Sequence, residues 1–183
     1  NSLVTPEHIA PVWYFTPFYT VLRAVPDPFL GVIAMGAAVM ILFFLPWIDR
    51  NPIKSWRYRS VLHKFSIYYF VVTFIVLGWL GMQPVTPINS ELGIRFTEVY
   101  FAFFLVLWFT SKPRSPVTHI IVFAISMGLI LAWDFAWSRF EVQGSGMVLI
   151  SLLIPGVYLA VCLLGPLLTG LGKESPVPER VTG

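Results

Sequence analysis

The chain has 183 residues, of which 57% are hydrophobic and only 11% charged, with a formal net charge of +3. A soluble domain carries about 25% charged residues, so this composition excludes an ordinary water-facing surface and suits one that faces lipid. The basic residues sit in short loops between apolar runs and not on one soluble face, so they read as topology signals and not as a nucleic-acid footprint. The single cysteine, Cys162, lies in an apolar run; an intrachain disulfide and a cysteine-built metal centre are both excluded. The chain opens on Asn1 instead of Met, with polar first residues and no signal peptide, the pattern of a processed or excised segment.

Residues 1–27 are too short and too polar to span a membrane, but they carry a dense aromatic stretch. Pro11 suits the first position of a helix. Phe15, Phe18, Tyr19 and Leu22 then fall at i, i+3, i+4 and i+7, on one helical face. The expectation is a short interfacial helix, bent at Pro17, with its rings turned toward the membrane interior. Arg23 is expected to anchor the segment or to pair with Asp27.

Five stretches then approach the roughly 20 apolar residues that a membrane helix needs: Pro28–Ile48, Phe65–Val85, Ile94–Ser111, Val117–Trp137 and Met147–Leu171. Arg95 and Glu98 interrupt the start of the third, at a spacing that lets them pair near the interface. The fourth carries His119 and Asp134 near its two ends; Asp134 is expected at the interface beside Arg139. Pro155 and Pro166 predict kinks in the last span. Residues 172–183 read as a flexible polar tail. The fold class is therefore all-α: a multispan transmembrane helical bundle with a short interfacial helix before the first span.

Arg50, Lys54, Arg57, Arg59, Lys64, Lys112, Arg114, Lys173 and Arg180 fall on one side if all five spans cross, leaving Arg23, Arg95 and Arg139 on the other. The positive-inside rule puts the first set in the cytoplasm. The aromatic segment then faces outward, toward the periplasm, and the C-terminus is cytoplasmic.

The run Pro11-Val12-Trp13-Tyr14-Phe15, continued by Tyr19, Val21-Leu22-Arg23, Pro26 and Gly31, resembles the P-E-W-Y region of cytochrome b, the membrane core of the cytochrome bc complex (complex III). A second run, Trp79-Leu80-Gly81-Met82-Gln83-Pro84-Val85, is similar to that family's W-[IL]-G-x-Q-P-V. The resemblance covers roughly the first 110 residues and implies the C-terminal part of cytochrome b, in a bacterial inner membrane. It further implies that residues 1–27 form the outer quinol-site loop and short helix and that residues 28–111 hold three family spans; the two further spans in residues 112–171 exceed the shorter mitochondrial form and are not assigned by the motifs. Quinol contacts are expected at Pro11, Val12, Trp13, Tyr14, Phe15, Phe18, Tyr19 and Met35. A flat quinol ring can lie against such rings by offset stacking without competition for its hydroxyls.

What the resemblance does not place on this chain matters equally. In the family, paired histidines on the N-terminal half hold two b-type haems. His8, His63 and His119 do not form that pattern, so haem is expected outside this segment, with no metal and no catalytic residue on this chain alone. The expected partners are the N-terminal half of cytochrome b, a Rieske iron–sulfur protein, a c-type cytochrome subunit, the lipid bilayer and a second copy of the complex; nucleic acid is not among them. Val12 stands where the family commonly has Glu, and valine can neither accept a hydrogen bond nor carry a proton; Glu7 is a candidate substitute. Two other readings stand beside this one. The first is a separately encoded partner similar to subunit IV of the cytochrome bf complex. The second is a small transporter or anchor, which the shortage of ionisable groups in mid-span disfavours.

Overall fold

The computed structural model describes residues 11–177, which are helical and contain no strand. Glu7, His8 and Arg180 lie outside the described residues. A short helix α1 (Thr16–Ala24) precedes α2 (Pro28–Phe43) and its continuation α3 (Leu45–Ile48). Two long helices follow, α4 (Val61–Gly81) and α5 (Pro87–Thr110), then α6 (Pro116–Ala136) and the one-turn α7 (Arg139–Val142). The last span is built from α8 (Ser145–Ser151), α9 (Leu153–Leu159), a π-helical turn at Ala160–Leu164 and α10 (Gly165–Leu168).

The helix starts follow a repeated local rule. Asp27-Pro28, Thr86-Pro87 and Ser115-Pro116 each place a side-chain acceptor at the N-cap and proline at the first helical position. The cap oxygens accept from the backbone N–H of Leu30, Asn89 and Thr118, which meets an otherwise unpaired donor. Ser60 caps α4 in the same way, through the N–H of His63. These caps set boundaries that hydropathy misses. The second predicted span begins four residues early, at Val61, because the first turn tolerates His63 and Lys64 at the membrane edge. The third begins seven residues early, at Pro87, with its charges paired inside the bundle.

Four helical stretches are long and apolar enough to cross a membrane: Val61–Gly81, Pro87–Thr110, Pro116–Ala136 and Ser145–Leu168. The first of the five predicted spans is shorter. Its apolar helix ends at Phe43, and α3 resumes after a break at Phe44. Pro46 accounts for the break: it has no N–H to donate, and its ring crowds the carbonyl one turn back. In the last span, the break at Leu152 and the wide π turn each come shortly before a proline, Pro155 and Pro166.

Helix α5 is the axis of the bundle. Val99, Tyr100, Phe103, Phe104, Val106, Leu107 and Phe109 are all buried, so the helix is packed over most of its circumference, with Leu105 and Trp108 left on an exposed strip. Phe70 of α4 stacks on Phe103 at 4.2 Å between ring centroids. The Tyr100 hydroxyl donates to the Ala38 carbonyl of α2 at 2.6 Å, and the Ser66 and Tyr158 hydroxyls of α4 and α9 meet at 2.7 Å. Helix α6, by contrast, is mostly peripheral; Ile120, Ile121, Ile125 and Leu129 are at least half exposed, as a lipid-facing surface requires. The start of the predicted flexible tail is tied down. The Glu174 carboxylate accepts from the Asn51 side chain, and the Ser175 N–H donates to the Tyr58 carbonyl.

Candidate functional site

The two sequence runs singled out above, 68 positions apart at their first residues by the numbering, meet in the fold. A turn closed by the Phe15 N–H on the Val12 carbonyl, 2.8 Å, leads into α1, and the Thr16 hydroxyl donates to the Trp13 carbonyl at 2.7 Å. Helix α1 starts at Thr16 and not at Pro11, which places Pro17 in its first turn, where a missing N–H costs nothing and no bend follows.

What α1 buries is not its aromatic face. Thr16, Pro17, Thr20, Val21 and Ala24 turn inward. They can do so because glycines stand opposite. A Cβ at Gly81 would lie 2.4 Å from the Thr16 carbonyl oxygen, and one at Gly31 would lie 2.7 Å from that of Leu22. No other residue type allows so close an approach of two backbones. The Thr20 hydroxyl lies within reach of two carbonyls, Thr16 in its own helix at 3.1 Å and Leu77 of α4 at 2.6 Å. Arg23 donates to the Gln83 carbonyl at 3.3 Å and sits 5.5 Å from the Tyr19 ring. The expected Arg23–Asp27 pair is not formed, because Asp27 is engaged as the N-cap of α2. A small cavity of about 120 Å³ lies between Thr20, Arg23, Leu80, Val85, Asn89 and Gly93.

The aromatic residues are left on the outside. Trp13 is 78% and Tyr14 63% exposed, and Val12 is exposed beside them. Phe15 and Phe18 lie 6.0 Å apart, and Phe18 meets Phe74 of α4 edge-on at 5.9 Å. Phe18 and Tyr19 are half-buried. Met35 is half-buried on α2, one turn beyond Gly31 and so on the same helical face. The structure thus brings Trp13 to Tyr19 together on one rim, above a backbone seat made of small residues. Pro11 stands at the entrance to that rim, half-buried.

A second constellation was not legible as a unit in the sequence. Arg95 is fully buried and binds Glu98 at 2.9 Å, Asp134 at 2.8 Å and Glu91 at 3.2 Å, while the Ser151 hydroxyl accepts from it at 2.9 Å. Arg139 pairs with Glu91 and stands 3.3 Å from the other Asp134 oxygen. Asp134 is therefore paired with Arg139 as expected, and it is buried within the bundle near the end of α6. Ser138, with a left-handed φ of 49°, and Gly144, with φ of 85°, fold α7 back and carry Arg139 to it. The Glu91–Arg95–Glu98 spacing on one helical face was the available signal; its partners are 36 or more positions away, beyond the reach of periodicity.

His63 and His119 both border one cavity of about 200 Å³, smaller than the roughly 300–1,000 Å³ typical of pockets for drug-sized ligands. The His119 Nδ1 donates to the Leu163 carbonyl at 2.9 Å, and the His63 ring packs against Trp56. Among the described residues no group of three or more His, Cys, Asp or Glu is placed to hold a metal ion.

Comparison with known proteins matches the N-terminal part of the chain to one family. Residues 1–101 match the family described as cytochrome b (C-terminal)/b6/petD. Cytochrome b of Allochromatium vinosum is 52% identical over 111 residues, covering 58% of this chain and 27% of that protein. Cytochrome b of Rhodospirillum rubrum is 42% identical over 123 residues, 64% of this chain and 30% of the relative. A solved structure of a hyperthermophilic respiratory complex III matches with a TM-score of 0.57 and 40% identity, over 60% of this chain and 27% of that one. The matched part of this chain thus spans under a third of the length of these relatives. Its apolar helices and this kinship make the chain an integral membrane protein, and it belongs to the cytochrome b C-terminal family.

Proposed function

We propose that this chain forms one wall of the quinol-oxidation site of a quinol–cytochrome c oxidoreductase of the bc type. The observation that carries the reading is the pairing of a family match over residues 1–101 with an aromatic rim, Trp13 to Tyr19, exposed above a rigid backbone seat. Large exposed rings held on a rigid support are what a flat, apolar substrate or a further subunit would cover. Pro11, Val12, Trp13, Tyr14, Phe15, Phe18, Tyr19 and Met35 are the proposed quinol contacts. The rest of cytochrome b, a Rieske iron–sulfur protein and a c-type cytochrome would close the site, in a complex that is a homodimer in a bacterial inner membrane.

In this reading quinol gives up two electrons and two protons. One electron goes to the iron–sulfur partner. For the other, a b-type haem held on the part of cytochrome b outside this chain would supply the acceptor. The residues here stack the ring, exclude water and hold the ring plane. Val12 offers no proton acceptor, so the protons leave through groups elsewhere; Glu7 remains a candidate. The aromatic rim faces the periplasm, and residues 28–111 act as the family unit, with 112–171 appended to it. A partner similar to subunit IV of a bf complex would use the same wall with the remainder on a separate chain.

The test is purification of the native assembly in mild detergent, followed by a reduced-minus-oxidised haem spectrum and a quinol-to-cytochrome c assay with an outer-site inhibitor. Co-purifying b-type haem with inhibitor-sensitive turnover is expected; a colourless, inactive assembly would overturn the proposal. Within the active complex, Tyr19→Ala should lower quinol oxidation with haem content unchanged, and unaltered turnover would remove Tyr19 from the site.

A further inference from the structure

At the end of the bundle opposite the aromatic rim, the first turns of α4 and α6, the last turns of α5 and the π turn enclose the cavity of about 200 Å³ that His63 and His119 border. The charged residues of its lining are mostly cationic: Arg59, Lys112 and Arg114, with Glu174 as the acid, among neutral polar groups such as Asn51, Ser60 and Thr110. Its inner wall is apolar, formed by Leu62, Val106, Leu107 and Cys162. Such a boundary between charge and hydrocarbon, set where spans end, has the polarity profile of a phospholipid's phosphate and upper chains.

Two details call for an anion. Arg59 is 6% exposed; its Nη2 binds Asp49 at 2.5 Å, but its Nε is buried without a hydrogen-bond partner. A buried guanidinium N–H without an acceptor carries a desolvation cost that an anionic oxygen would relieve. The charge balance points the same way. Asp49 compensates Arg59, and Glu174 offsets one of Lys112 and Arg114, which leaves a surplus cation in the lining. Lys112 forms no ion pair among the described residues. Arg114 is fixed at the membrane edge by its Nε, which donates to the Phe109 carbonyl, and by the Trp108 ring 4.9 Å away. Trp108 is itself partly exposed on the outer surface of the bundle, near the end of α5, which suits a ring in an interfacial aromatic belt.

We infer that this cavity binds the phosphate of an acidic phospholipid, with Arg59, Lys112 and Arg114 as the anion-binding groups and the acyl chains lying outside along α5. Basic pockets between membrane helices recognise anionic headgroups through this chemistry. The inference does not depend on the quinol reading, nor on which leaflet the cavity faces. Eleven of the seventeen residues that line the pocket lie beyond the family match, so the lipid would also join the appended spans to the family unit.

The experiment uses the intact complex, delipidated in mild detergent and then supplied with phosphatidylglycerol, phosphatidylcholine or inorganic phosphate at equal concentration. Retained lipid is counted by native mass spectrometry, and the thermal midpoint is recorded. Phosphatidylglycerol should be retained and raise the midpoint, whereas phosphatidylcholine should do neither. Lys112→Gln with Arg114→Gln should weaken retention about thirtyfold, and Lys112→Gln alone about fivefold. The single variant, at an exposed and unpaired side chain, keeps the test open if the double variant does not assemble. Equal retention of the two lipids, or full retention by the Lys112→Gln variant, would overturn the proposal. Reproduction of the whole midpoint shift by inorganic phosphate would show a free-anion site and overturn its lipid source.

Discussion

The two halves of the bundle are held together by opposite means. Around α1 the contacts are backbone to backbone: Gly81 under Thr16, Gly31 under Leu22, and a threonine hydroxyl reaching across to Leu77. Between α5 and the segment from α6 to α8 the contacts are ionic: three carboxylates, two guanidiniums and a serine hydroxyl, nearly all out of reach of solvent. In a membrane, helices gain little from apolar burial against each other, so close packing and polar bonding are the available adhesives. The matched family region uses the first at α1, and the added spans use the second. Close packing leaves no tolerance for a methyl group. An ionic clamp tolerates shape changes but not the loss of a charge.

Four substitutions would break or sharpen that contrast. Arg95→Leu should have the largest effect, because it strands Glu98 and leaves Glu91 and Asp134 to share Arg139 alone; removal of one partner from a buried ion pair costs about 3–5 kcal/mol. The expected outcome is release of α6 from the bundle, read as new protease cleavage in residues 111–115 and a fall in the thermal midpoint. An uncleaved, equally stable complex would show that the clamp contributes little. Gly81→Ala drives a methyl into the Thr16 carbonyl and should cost about 1–3 kcal/mol. It acts on the other region: quinol oxidation should fall sharply while haem content and protection of 111–115 persist, and undiminished turnover would contradict the seat described for α1. Tyr100→Phe removes only the bond to Ala38, and polar contacts between membrane helices average about 0.6 kcal/mol. A thermal midpoint within a few degrees of the parent is expected, and a collapse would mean that the bond governs the α2–α5 contact. Gly36→Ala is the control, since a methyl there meets nothing within 4 Å. Its expected effect on stability, about 1 kcal/mol or less and in the favourable direction, would turn unfavourable only if another subunit packs on that face.

Much of the fold was legible because hydropathy reports directly on lipid contact. Pro155 and Pro166 announced the breaks in the last span, while Pro17 suggested a bend that does not occur and the break at Pro46 was not foreseen; the positions Arg95 and Glu98 announced an ion pair. Boundaries were less legible. Phe65 and Ile94 look like span starts only if charges must end a helix, and they need not when a cap such as Ser60 or Thr86 lies further back. The burial of Asp134 could not be read at all, because its surroundings are assembled from α5, α6 and α7. At the candidate site, aromatic spacing pointed to the ring-bearing face of α1 as the part that matters. The threonines and glycines that seat it gave no periodic signal, since their role lies in what they omit, a side chain large enough to keep two backbones apart.

That seat has a consequence for assembly. Leu77 is made 57 residues after Thr20, and at about 5–20 residues per second the interval is about 3–11 s. During it, α1 has only its own Thr16 carbonyl for the Thr20 hydroxyl. Helix α1 therefore gains its full seat only when α4 has entered the bilayer. The aromatic rim is then fixed late in biogenesis, by residues more than fifty positions further along the chain.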